Sequence, residues 1–107
     1  MREPTYFILA ALQDGPLHGY GIIKRTLTLS EGRLTLAAGT LYGALDRLVE
    51  TGMVTAGPHY AEGGRPRRDY DLTQAGADAV VAESKRLAQA ARAVRVPLVR
   101  RAAGEAQ

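Results

Sequence analysis

Arg65, Arg67 and Arg68 crowd around Pro66 in the run Gly63-Gly64-Arg65-Pro66-Arg67-Arg68. A guanidinium group is a rigid fork of donors that matches an oxyanion, so several on one tight loop suit phosphates or a narrow minor groove. Loop arginines are often only solvated, and this segment by itself specifies no more than a basic hairpin. Other reactive groups are sparse. His18 and His59, with Glu62 nearby, are conceivable metal ligands, but two isolated histidines without ligand spacing are ordinarily surface residues, and no metal site is expected. Cysteine is absent, which removes thiolate sites, redox chemistry and disulfides. There is no nucleophile elbow, no phosphate-cradling glycine motif and no cluster of histidines with carboxylates. Gly63-Gly64-Arg65 lies in a hairpin, not between a strand and a helix. Neither an enzyme nor a bound cofactor is expected.

The chain of 107 residues is long enough for one domain and too short for two. At 46% apolar it can bury a core, although so small a domain gains from association with a second copy. The net charge of +3 and a pI near 9.6 are compatible with a nucleic-acid partner without requiring one. No apolar run approaches the roughly 18 residues of a membrane helix. The opening MREPTYFILAAL lacks the basic region and cleavage site of a secretory signal. A soluble cytoplasmic protein with no membrane contact is expected.

The elements that must carry these residues can be read from periodicity. A helix is expected over about Pro4 to Gln13, with Phe7, Ile8, Ala11 and Leu12 inward, ended by Gly15-Pro16. A second should run from about His18 to Leu29, with Ile22, Ile23 and Leu27 inward, and Ser30-Glu31-Gly32 breaks it. A third spans about Ala37 to Thr51, with Leu41, Leu45, Leu48 and Val49 buried and Gly52 closing its end. Met53 to Ala56 and Arg68 to Leu72 then change to strand character, joined by the glycine- and proline-rich basic loop. Thr73 is a suitable N-cap for a last helix. Its small and apolar positions 77, 80, 84, 87, 91, 94 and 98 form an a/d seam, and Pro97 should stop it near Val96.

Three helices, a hairpin and a long helix describe a mainly α fold with a small β-hairpin: a winged helix-turn-helix with an appended dimerisation helix. The expected organisation is residues 1–73 for DNA binding, 74–99 for the dimerisation helix and 100–107 as a frayed tail. The narrow seam needs a partner helix, so Val80, Ser84, Leu87, Ala91, Val94 and Leu98 are assigned to a homodimer contact, with Tyr6 and Phe7 of the first helix contributing. Burial of the leucines on the third helix turns Gly39, Gly43 and Arg47 outward, with Thr40 and Tyr42 at the margins. Such a helix would present Thr40, Tyr42 and Arg47 to double-stranded DNA, and the glycines would permit close backbone approach. His18 and Tyr20 open the second helix, where free N–H groups favour a phosphate.

Four stretches resemble one family in order and at compatible spacing: Gly15-Pro16-Leu17-His18-Gly19-Tyr20-Gly21-Ile22, Gly39-Thr40-Leu41-Tyr42-Gly43-Ala44-Leu45, Gly64 to Tyr70, and Leu72-Thr73-Gln74-Ala75-Gly76. Together they are similar to the PadR-like transcriptional regulators, in the smaller subclass with one C-terminal helix. Gly43 departs from the pattern, which commonly has proline there. The resemblance implies a homodimer acting as a repressor at a palindromic operator, often released by a small ligand of unspecified identity. An effector would sit between the dimer helices and the helix-turn-helix; without Trp, the stacking platform of some multidrug-sensing members is absent. The residues leave open two alternatives: a winged-helix adaptor that binds protein instead of DNA, and a metal-responsive regulator.

Overall fold

The computed structural model describes residues 1–97. Helices α1 (Glu3–Ala11), α2 (Gly19–Leu29) and α3 (Ala38–Glu50) precede a hairpin of β2 (Val54–Glu62) and β3 (Arg65–Leu72), and α4 (Gln74–Ala91) follows. A two-residue strand, β1 (Leu17–His18), lies before α2 and completes an antiparallel sheet in the order β1-β3-β2. The expected fold, a winged helix-turn-helix followed by a C-terminal helix, is therefore present. Leu98 and the 100–107 tail lie outside the described residues.

Ile8, Leu9 and Ala11 of α1, Leu12 at its end, Ile22 of α2 and Leu41, Ala44, Leu45 and Leu48 of α3 form the core, closed by Leu36, Val54, Tyr70 and Val80. Three periodicity assignments shift. Phe7 is only half-buried while Leu9 is fully buried. Leu27 and Val49, expected inside, are 38% and 39% exposed. In α2 the inward position falls to Thr26, whose hydroxyl donates to the Ile23 carbonyl at 2.9 Å and so enters the core satisfied.

Two helix ends use the same stop. At α3, Gly52 takes φ 79° and donates to Val49, while Met53 donates to Leu48; this is the paired closure in which a left-handed residue recovers the last carbonyls. At α2 the pattern repeats with Glu31 donating to Thr28 and Gly32 to Leu27, but here the left-handed position (φ 56°) is held by Glu31. The break expected at Ser30-Glu31-Gly32 is present, and within it Glu31, the one non-glycine at positive φ among the described residues, bears the strain.

The hairpin extends further than its composition suggested. Its strands pair out to Glu62↔Arg65, leaving a turn of two residues, Gly63 and Gly64, with φ 57° and 77°, as a primed hairpin turn requires. A register shift between Ala56 and His59 accommodates Gly57 and Pro58, and Pro58 has no N–H to give a ladder. β1 was not foreseen, because two residues carry no readable periodicity.

Thr73 caps α4, accepting from the Gly76 N–H at 3.0 Å while donating to the Gly52 carbonyl at 2.6 Å. The helix crosses so close to the end of α3 that a β-carbon at Gly76 would overlap the Met53 carbonyl. α4 stops at Ala91, capped by Arg92, well short of Pro97. Val94 thus lies beyond the helix, and its assignment to a helical seam is corrected.

Candidate nucleic-acid interface

α3 presents one open face. Gly39, Thr40, Tyr42 and Arg47 are exposed and Gly43 is half-buried. Neither glycine has a positive φ. A β-carbon at Gly39 would meet nothing, and one at Gly43 would meet only the tip of Arg47 at 3.8 Å. Gly39 lies in the first turn of α3, but Gly43 is mid-helix, where glycine costs about 1 kcal/mol relative to alanine, and no crowding inside this fold calls for it. The bareness faces outward.

At the start of α2, His18 is a helix cap: its Nδ1 accepts from the Gly21 N–H at 3.1 Å. Histidine is outside the usual capping set of Ser, Thr, Asp and Asn, so this role was not legible in the sequence. Tyr20 is 56% exposed, with its ring stacked on His18 at 6.5 Å and the Lys24 Nζ 5.5 Å from its centre. Tyr42 leans from α3 over the α2 terminus, where a β-carbon at Gly19 would overlap its hydroxyl. The Tyr42 and Tyr70 rings lie 6.5 Å apart, so α3 and the wing strand β3 meet there.

The three wing arginines separate. Arg65 is exposed beside the turn. Arg67 places Nε 3.7 Å from a Glu62 carboxylate oxygen, shielded from solvent and without a hydrogen-bond partner. Arg68 donates Nε–H to the Gly57 carbonyl at 2.7 Å, which pins the irregular stretch of β2. Across the strands, the Tyr60 hydroxyl donates to Asp69 at 2.7 Å, and that bond holds the Tyr60 phenol above its ordinary pKa. Burial pushes the Tyr70 phenol up as well, opposed by the nearby Arg68 guanidinium.

The sequence matches the family described as "Transcriptional regulator PadR-like family" over residues 8–82, from within α1 into α4. The chain belongs to the PadR-like family. Membership places the matched region among transcriptional regulators. A protein of Streptomyces fradiae, "Uncharacterized 37.1 kDa protein in transposon TN4556", is 39% identical over 88 residues, which cover 82% of this chain and 24% of that one. The chain thus spans about a quarter of that relative's length. Among solved structures, a PadR family transcription regulator from Clostridium difficile R20291 superposes with a TM-score of 0.73 at 21% identity, covering 86% of this chain and 94% of that one. Bacillus subtilis PadR in complex with operator DNA gives 0.66 at 21% identity, covering 92% and 51%.

Within this PadR-like chain the residues assigned to self-association divide. Val80 is 3% exposed and belongs to the protein's own core. Tyr6 and Phe7 are half-buried and meet edge to face at 5.4 Å. Ser84, Leu87 and Ala91 lie on the exposed end of α4, with Leu87 41% exposed. Among the described residues no group of three or more His, Cys, Asp or Glu is placed to hold a metal ion, and no helix is long and apolar enough to cross a membrane.

Proposed function

We propose that this chain is a cytoplasmic, sequence-specific DNA-binding repressor that acts as a homodimer on a palindromic operator and is released by a small ligand. The observation that carries DNA binding is the outward face of α3. Gly43 weakens that helix with no internal return, and Gly39 leaves its first turn bare, as suits a helix whose backbone must approach a groove wall. Thr40, Tyr42 and Arg47 flank them as donors, and Arg65 supplies charge from the wing tip. With few bidentate base readers on α3, much of the affinity comes from phosphate contact and groove shape.

The dimer reading rests on the far half of α4, where Leu87 and Ala91 stay exposed. A paired α4 would set two recognition helices about one helical turn apart, which explains a palindrome. Repression and ligand release are what the motif resemblance to PadR-like regulators implies, and belong to this proposal. A footprint on the DNA upstream of this protein's own gene tests the reading. Two protected half-sites, about 10 base pairs apart, support it. No protection at low salt would leave the protein-binding adaptor as the function of this fold.

A further inference from the structure

The run Leu72 to Gly76 sits where four elements meet: β3 ends, α4 begins, and the end of α3 turns into β2 beside them. Two backbone bonds in series join the helices there. The Met53 N–H donates to the Leu48 carbonyl in the last turn of α3 at 2.9 Å, and the Thr73 N–H donates to the Met53 carbonyl at 3.1 Å. The Thr73 hydroxyl bridges the same gap, donating to the Gly52 carbonyl at 2.6 Å and accepting from the Gly76 N–H at 3.0 Å. Steric contact closes the joint, since a β-carbon at Gly76 would overlap the Met53 carbonyl that Thr73 holds. A helix N-cap needs only the bond to Gly76. The bond to Gly52, 21 residues away at the stop of α3, adds nothing to α4 itself. It ties the direction of α4 to the end of α3.

That direction has leverage. Beyond Glu83 the helix leaves its own domain, and every residue from Ser84 to Ala91 is exposed. From Gly76 to Ala91 it runs about 22 Å at roughly 1.5 Å per residue. A swing of about 10° at the joint moves the far end by about 4 Å, more than the roughly 3.4 Å between successive base pairs. A loose joint would lose the register between two half-sites. We propose that Thr73 is a positioning residue: with Gly76 it locks α4 to the end of α3 and so sets the half-site spacing that the dimer accepts. The proposal rests on the reading of α4 as the dimer helix and α3 as the duplex reader.

Two arms test it on the full chain, with Thr73→Val, which removes both hydroxyl bonds, and Thr73→Ser, which keeps them. Thr73 lies outside the core. The first arm needs no DNA. Cysteine is absent, so Asp46→Cys on α3 and Gln89→Cys on α4, both exposed, take spin labels selectively. Dilution with unlabelled chain leaves the distance within one protomer. One narrow distance is expected with Thr or Ser at position 73, and a broadened distance, or one shifted by about 4 Å, with Val.

The second arm uses unlabelled chains and the duplex upstream of the protein's own gene, with base pairs inserted or removed between the half-sites. One such change should weaken wild-type and Thr73→Ser binding about tenfold and Thr73→Val binding less than about threefold, because avidity is lost only where geometry forbids engaging both half-sites. Affinity for an isolated half-site should be equal in all three. An unchanged label distance in Thr73→Val, a spacing preference that survives it, or a matching loss at the isolated half-site overturns the joint and leaves the regulator reading standing. A wild-type chain that binds no duplex, or binds without regard to spacing, overturns the dimer-on-operator reading and the spacing role with it, whatever the labels show.

Discussion

Gly43 separates what the fold wants from what the function wants. Its position in the middle of α3 is helical and uncrowded, so Gly43→Ala should raise stability by about 0.5–1 kcal/mol. The same methyl group stands on the proposed DNA face and should weaken duplex binding. Denaturant unfolding and a binding titration on one variant check both signs. Loss of stability, or unchanged affinity, would mean that the glycine serves something other than close approach. Residue-level legibility was uneven for physical reasons. Glycine spacing on α3 could be read directly, because a helix converts spacing into a face. The capping of α2 by His18, and the pinning of Gly57 by Arg68, depend on which acceptor lies across a turn or a strand, and no local pattern encodes that.

Among elements, the two equivalent helix stops make a controlled comparison. Glu31 holds a left-handed position at the end of α2 that glycine holds at the end of α3. Strain of about 1–2 kcal/mol there is partly offset by the stiffer unfolded chain, and the carboxylate also faces the negative end of the helix dipole. Glu31→Gly should therefore stabilise the protein by about 1 kcal/mol, read as a higher denaturation midpoint with unchanged slope. The wing permits a second comparison. Arg65→Ala should leave the melting temperature alone and lower the salt slope of DNA binding by about 1. Arg68→Ala should also cost about 1 kcal/mol of stability through its lost bond to Gly57. Helix existence and order were legible from the 3.6-residue period, and the hairpin from its change to period two. Strand length was not: residues 57–67 have turn composition, yet all but Gly63 and Gly64 lie in the ladder or its bulge. α4 ended early because Arg92 to Val94 form a turn, while the apolar spacing ran on past it.

At the scale of the whole molecule, the unsolved surface is the far half of α4. Its seam was read as one contact, but Val80 packs inward while Leu87 and Ala91 stay exposed. One stripe on a helix can serve two partners along its length. Leu87→Glu should leave the domain folded, shift the solution mass toward a monomer by light scattering and weaken binding to a palindromic duplex by about a hundredfold. A variant that remains dimeric would move the interface away from α4. The central claim is that α3 and the wing together bind duplex DNA. Its most direct measurement is a fluorescence titration of the wild-type chain with the duplex upstream of its own gene and with a scrambled duplex, across a series of salt concentrations. Tighter binding to the upstream duplex, falling steeply with salt for both, is the predicted result. Equal binding to the two, or none at low salt, would contradict it.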